Sequence, residues 1–198
     1  MTKTVVGLLR HGQTDWNIDF RLQGVTDIPL NETGLRQAEV AADVLDAGDW
    51  DFIVSSPLTR AMQTAEIVAA KLEIEEVAIE QLLLERSFGD AEGMTHEQWK
   101  QDFPDGLPPG GESLEVLRAR AILLLDRLLE VYRGTRVLTV SHGALIRKLL
   151  KIVSAGELPL LGQRLGNTSL TILAHDQSGW RVEEYDPRSL SDRLDPKG

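Results

Sequence analysis

Apolar residues recur along this chain in two alternating rhythms. Short runs dense in Val, Ile and Leu at residues 4–9, 52–55, 77–79 and 137–140 read as buried strands. Between them, apolar positions return every three or four residues: Leu35, Ala38, Ala42 and Leu45, then Ala61, Ala65 and Val68. The same spacing continues in Leu114, Leu117, Ala121, Leu124, Leu128 and Tyr132, and again over residues 144–153. Asn31 and Thr33 are candidate N-caps of the first helix. Ser56 followed by Pro57 predicts a cap and a first helical residue for the second, which carries Arg60 and Thr64. Thr95 predicts the start of a short helix to Asp102. Residues 170–174 and 180–185 flank Gln177-Ser178-Gly179 and predict a closing hairpin. Strands alternating with helices give an α/β expectation: a three-layer α-β-α sandwich with a mostly parallel central sheet and an antiparallel edge hairpin. The Pro- and Gly-rich stretch 104–111 is irregular but too short to separate domains. Residues 1–198 are therefore expected to form a single domain.

Composition narrows the partners. The chain has 198 residues, 42% of them hydrophobic, and no cysteine. It shows no apolar stretch of bilayer length and no secretory leader, so a cytoplasmic location is expected. A formal net charge of −10 argues against nucleic acid and against a polybasic membrane contact. A small anion held in a local cationic pocket remains open. The state of assembly is not legible, with a homodimer as one option.

Two of the four histidines share one setting: an apolar strand run, the histidine, then glycine. These are His11, preceded by Arg10, and His142. Ligands of open α/β sheets bind at the carboxyl ends of strands. Arg60 follows a third strand, and its guanidinium fork suits phosphate oxygens. If these strand ends adjoin, two guanidiniums and two imidazoles converge, and a phosphoryl group is the natural guest. Taken singly, each residue has a plainer reading: a hydrogen-bonded structural histidine or a solvated arginine. His96 reads as a surface helix position and His175 as a neighbour of the hairpin turn. Trp16, Trp99 and Trp180 read as core or rim packing, with Trp16 the best candidate for a substrate contact. Without cysteine, a Gly-x-x-x-x-Gly-Lys-Ser/Thr run or a His-x-His cluster, neither a metal nor another cofactor is expected.

Arg10-His11-Gly12-Gln13-Thr14, with Asn17 three residues on, resembles the signature of the histidine phosphatase superfamily, phosphoglycerate-mutase-like branch. Further segments resemble that family in the same order. They are the stretch from Arg21 through Gln23 and Gly24 to Leu30, then Asn31-Glu32-Thr33-Gly34, then Ser55-Ser56-Pro57-Leu58-Thr59-Arg60-Ala61. Leu84-Glu85-Arg86-Ser87-Phe88-Gly89-Asp90-Ala91-Glu92-Gly93, Gly110-Gly111-Glu112-Ser113 and Ser141-His142-Gly143 complete the set.

The resemblance implies a nucleophilic His11 that forms a phosphohistidine. Arg10, Arg60 and His142 would hold the phosphoryl oxygens, assisted by Asn17 and the Gly143 amide. Glu85 would be general acid and then base, which requires a raised pKa. Gln23 and Gly24 would face the substrate beyond its phosphate. The expectation is a metal-independent phosphomonoesterase acting on a small phosphorylated metabolite. The alternatives are a 2,3-bisphosphoglycerate-dependent phosphoglycerate mutase and a phosphoprotein-binding or regulatory module with a weakly active pocket. Only 26 residues lie between Glu85 and Glu112, and from Ser87 to Glu112 the basic side chains are His96 and Lys100 alone. A rim so poor in basic groups favours hydrolysis over a mutase. Whether Arg86, His96 or Asn167 reaches the pocket is not legible.

Overall fold

The computed structural model describes residues 2–194. Its centre is a six-stranded sheet of β1 (Thr4–Arg10), β2 (Phe52–Ser55), β3 (Val77–Ile79), β4 (Arg136–Ser141), β5 (Leu170–Asp176) and β6 (Gly179–Tyr185), in the order β3-β2-β4-β1-β5-β6. The first four strands of that order run parallel; β5 lies antiparallel to β1, and β6 to β5. The mixed α/β sheet with an antiparallel hairpin at one edge is thus as expected.

Strand alternation feeds two cores. Val6, Leu8, Val54, Val137 and Leu173 face α5 (Leu114–Val131) and α6 (Gly143–Val153). Leu9, Ile53, Leu138, Val140 and Leu170 face α2 (Glu32–Val44) and α3 (Thr59–Leu72). The two helical layers enclose the sheet. In α5, Leu117, Ala121, Leu124, Leu125 and Leu128 form the buried stripe, and the Ser113 side chain caps the first turn. Truncating a wholly buried residue such as Leu124 would cost about 2–5 kcal/mol. Among the described residues, no helix is long and apolar enough to cross a membrane.

The register decides where the chemistry falls. Arg10 pairs with Ser141, and Ser55 with Val140, so β1, β4 and β2 end nearly level. The next residues, His11, His142 and Ser56, leave the sheet at one edge.

Three local expectations need correction. Asn31, not Thr33, caps α2: its side chain accepts from Gly34 N–H at 2.8 Å, while Thr33 lies inside the helix. Ser56-Pro57 does not open α3, which begins at Thr59 behind Leu58. The Thr59 N–H is taken at 2.7 Å by the Asp27 carboxylate, a cap supplied from 32 residues away. Two short helices, α1 (Asp15–Ile18) and α7 (Leu190–Leu194), carry no repeating apolar stripe and were not predicted. Helix α1 is held by a reciprocal capping box between Thr14 and Asn17. The Thr95 cap of α4 (His96–Asp102) is as expected.

Candidate active site

His11 and His142 stand with ring centroids 5.1 Å apart, both buried. The His11 Nδ1 lies 2.6 Å from the carbonyl oxygen of Gly12. A carbonyl only accepts, so Nδ1 carries the proton and the lone pair is on Nε2. Burial, then the Arg60 and Arg10 charges, holds the His11 pKa well below 6.5, so the ring is neutral at pH 7. Burial and the same two arginines, with His11, do likewise for His142. The loop carrying His11 is pinned on several sides. The Gly12 N–H donates to Thr64 Oγ1 at 3.0 Å, and Asn167 Nδ2 donates to the His11 carbonyl at 3.0 Å. Gly34 lets the start of α2 pass against the Gln13 backbone, where a Cβ would overlap it.

Three buried nitrogens near His11 have no hydrogen-bond partner in the protein: Arg10 Nε, Arg60 Nε and His142 Nδ1. Their neighbours fix them nonetheless. Arg60 donates to the carbonyls of Gly24 at 2.7 Å and Thr26 at 2.9 Å. Arg10 donates to the carbonyl of Leu165. His142 Nε2 lies 2.7 Å from the Ser56 hydroxyl. Burial lowers the Arg10 pKa to about 10, opposed by Glu85 and aided by Arg60, and the group stays cationic at pH 7. An unmet buried donor costs about 1–3 kcal/mol. Two cations and three unpartnered buried nitrogens beside a free imidazole lone pair suit a tetrahedral oxyanion.

Glu85 lies at the N-terminus of α6. Its Oε2 accepts from Ala144 N–H at 3.0 Å, and its Oε1 from Leu145 at 3.1 Å and Arg86 at 2.9 Å. Its loop is buckled by Arg120, which the sequence reading did not single out. Arg120 donates to the carbonyls of Leu82, Leu84 and Glu85 at 2.9, 2.6 and 3.3 Å and forms a bidentate pair with Glu112. The signal was a lone arginine one turn from Leu117 and Leu124 on the buried side of α5.

A cavity of about 770 Å³ reaches Arg10 of this group, while His11, Arg60, Glu85 and His142 are not on its wall. Asn17, Gly143 and Asn167 line it with Arg10, as do Trp16, Phe20 and His96. His96 is both on the surface, stacked against Trp99, and on the cavity wall. Asn17 Oδ1 accepts from Asn167 Nδ2 at 3.2 Å, joining the first and last loops of the site. Gln23 and Gly24 do not line the open volume. Gln23 is buried, and Gly24, at φ +55°, turns its carbonyl onto Arg60. A Cβ there would strike the Glu92 carboxylate, which braces the same loop through the Val25 and Thr26 N–H groups. Arg86 lies against Phe88 and the Glu112 carbonyl and is not on the cavity wall. His175 packs on Trp180 in the hairpin.

The expectation of a rim poor in basic groups is corrected. Arg21, Arg147, Arg164 and Arg188 line the cavity, brought from α6 and from loops outside the interval between Ser87 and Glu112. Among the described residues, no group of three or more His, Asp or Glu side chains is placed to share a metal ion.

Comparison with known proteins adds the family. The family model described as histidine phosphatase superfamily (branch 1) matches residues 6–187. The chain is 41% identical over 186 residues to the uncharacterized phosphatase PhoE of Bacillus subtilis, covering 94% of this chain and 96% of that one. It is 34% identical over 201 residues to the probable phosphoglycerate mutase GpmB of Yersinia pestis, covering 94% and 92%. A mycobacterial glucosyl-3-phosphoglycerate phosphatase, solved with VO3, superposes with a TM-score of 0.79 at 32% identity, covering 94% and 99%.

Proposed function

The chain belongs to the histidine phosphatase superfamily, and from that premise we propose that it is a phosphomonoesterase of small phosphorylated metabolites working through a phosphohistidine on His11. One observation carries this reading: the neutral His11 offers its Nε2 lone pair beside the unpartnered Arg10 Nε, Arg60 Nε and His142 Nδ1. In the first step Nε2 attacks phosphorus and the bond to the leaving oxygen breaks. The three donors take the non-bridging oxygens, whose charge rises in the transition state. Glu85 delivers a proton to the leaving oxygen. In the second step water attacks phosphorus, Glu85 accepts its proton, and the P–N bond breaks to release phosphate and restore His11. Asn17 and the Gly143 amide assist at the cavity wall. The charge a metal would supply comes from Arg10 and Arg60, so activity should withstand chelators and vanadate should inhibit.

A mutase is the second reading, favoured by the arginine-lined cavity and the likeness to GpmB. The two separate when the protein is incubated with 3-phosphoglycerate and a trace of 2,3-bisphosphoglycerate. A phosphatase releases inorganic phosphate; fast formation of 2-phosphoglycerate with negligible phosphate release would establish the mutase instead.

A further inference from the structure

The chain that leads into β5 folds over the backbone of Arg10 and His11. The Arg10 guanidinium donates to the Leu165 carbonyl, and the Thr168 N–H donates to the Arg10 carbonyl at 3.1 Å. Between these contacts, Asn167 Nδ2 donates to the His11 carbonyl at 3.0 Å and to Asn17 Oδ1 at 3.2 Å. The arrangement depends on an unusual turn. Among the described residues, the non-glycine positions with left-handed backbone are Phe20, Glu73, Ala155 and Thr168. The first three are exposed; Thr168, at φ +53°, is wholly buried and alone is β-branched. A β-branched side chain is disfavoured in that conformation, which glycine adopts without steric cost. Such an outlier persists only where its surroundings hold it, and it points to a task for the side chain.

What holds Thr168 is the segment that runs into α7. The Thr168 hydroxyl donates to the Asn167 carbonyl at 2.7 Å. Its single hydrogen is thereby used, so the Ser189 hydroxyl, 2.9 Å away, is the donor of that pair. Ser189 Oγ therefore accepts from the Ser191 hydroxyl at 2.7 Å. One directed chain of hydroxyl groups runs from Ser191 through Ser189 and Thr168 to the Asn167 carbonyl, each bond polarising the next. Backbone contacts lock the same place. The Leu190 N–H donates to the Thr168 carbonyl at 3.2 Å, and the Gly166 N–H to the Pro187 carbonyl at 2.6 Å. A Cβ on Gly166 would lie 2.8 Å from the Ser189 nitrogen, so the two stretches of chain are in direct contact. Leu190 is buried in the core on the α2 and α3 side and anchors the segment.

We propose that Thr168, locked by Ser189, is a positioning residue for the nucleophile: its turn holds Asn167 against the His11 carbonyl and so keeps the imidazole aimed at phosphorus. The inference rests on the phosphohistidine reading and gives the C-terminal segment a part in it. The peptide joining His11 to Gly12 is held on both sides, its carbonyl by Asn167 and its N–H by Thr64 Oγ1 at 3.0 Å. The next carbonyl, that of Gly12, takes the His11 Nδ1 proton. Releasing Asn167 frees this peptide to rotate, carries the Gly12 carbonyl off Nδ1 and lets Nε2 swing out of line; small misplacements of a reacting atom are costly in rate. Thr168 itself is not on the cavity wall, so a change there acts on the nucleophile and not on substrate contacts.

Single-turnover kinetics with 4-nitrophenyl phosphate read the attack by His11 without the proton from Glu85. Thr168→Val keeps the shape but removes the hydroxyl. It should slow phosphoryl transfer about tenfold, the scale of one buried hydrogen bond, and change the half-saturating concentration by less than about twofold. Thr168→Ser retains the hydroxyl and should stay within about twofold of the unaltered rate. Ser189→Ala should act in the same direction as Thr168→Val, and it decides the matter if the valine protein does not fold. The route is tested by a double-mutant cycle: added to Asn167→Ala, Thr168→Val should cost less than about twofold more, because Thr168 acts through Asn167. A full rate in folded Thr168→Val, a serine variant as slow as the valine one, or losses that multiply independently in the cycle would each overturn the proposal. In place of the valine protein, a full rate in Ser189→Ala would do the same. Trapping an acid-labile phosphate on His11 of the unaltered enzyme reports on the phosphohistidine reading alone, so the two can fail separately.

Discussion

The Ser56 hydroxyl and His142 Nε2 lie 2.7 Å apart, which leaves Nδ1 as the His142 nitrogen without a partner in the protein. Ser56 Oγ already accepts weakly from Leu58 N–H at 3.4 Å. Its own hydrogen finds an acceptor if Nε2 holds a lone pair, which places the ring proton on Nδ1. That nitrogen is buried and unpartnered in the protein. In that tautomer His142 would be a neutral donor for a phosphoryl oxygen, adding no charge next to Arg10 and Arg60.

Ser56→Ala should therefore lower kcat about tenfold, the scale of one buried hydrogen bond, with little change in KM. A purely structural role would not move the tautomer. Nitrogen NMR of His142 should show the Nδ1–H form in the unaltered protein and a mixture in the variant; an unchanged tautomer with full activity would refute the relay.

The Glu112–Arg120 pair buckles the acid-bearing loop and is mostly buried, at 12% and 17% side-chain exposure. Removing one partner of such a pair typically costs about 3–5 kcal/mol. Arg120→Met should destabilise by that order in denaturant titration and should also lower activity, because the Leu82, Leu84 and Glu85 carbonyls lose their common donor. Combining it with Glu112→Gln should cost less than the sum of the two changes. Strict additivity would mean that the two side chains act independently.

Both site histidines have folded pKa values held well below the unfolded value of about 6.5. Below pH 6.5 the unfolded chain takes up protons that the folded site refuses, so stability falls as the pH falls. Each histidine contributes up to about 1.4 kcal/mol per pH unit in that window. Denaturant titrations between pH 7 and 5.5 should show this slope, and His142→Asn should remove about half of it. A profile equally steep in the variant would assign the acid sensitivity to other groups.

How far the sequence reveals the fold depends on whether the deciding contacts are local. The strands and long helices are legible because their apolar positions repeat within a turn or a pleat. The start of α3 is not, because the group that caps Thr59 is Asp27, brought by tertiary folding while Ser56 turns to His142. The cluster at the sheet edge is legible because Arg10 ends β1, His11 and His142 follow β1 and β4, and Arg60 comes soon after β2. The cavity wall is not: Arg147 and Arg164 lie beyond the loops that suggested themselves as a rim, and only the packing of α6 against the loop ahead of β5 brings them in. The part Gly24 plays in holding Arg60 through its carbonyl is likewise a contact across 36 residues that no local pattern signals.

Glu85→Gln keeps the shape but not the transferable proton. A general acid contributes roughly 10²–10⁴-fold. The loss should fall in that range for an alkyl phosphate and be at least about tenfold smaller for 4-nitrophenyl phosphate, whose leaving group departs without protonation. Equal losses on both substrates would make Glu85 a cap of α6 and nothing more.

The central claim is that phosphorus is bonded to His11 Nε2 during turnover. Rapid alkaline quenching of the enzyme with a phosphomonoester, followed by peptide mass analysis, should find one acid-labile phosphate, on His11. The same trap on His11→Ala should be empty, with turnover reduced by more than 10³-fold, as for removal of other covalent nucleophiles. A phosphate on any other residue, or a His11→Ala protein that keeps a tenth of the activity, would contradict the mechanism.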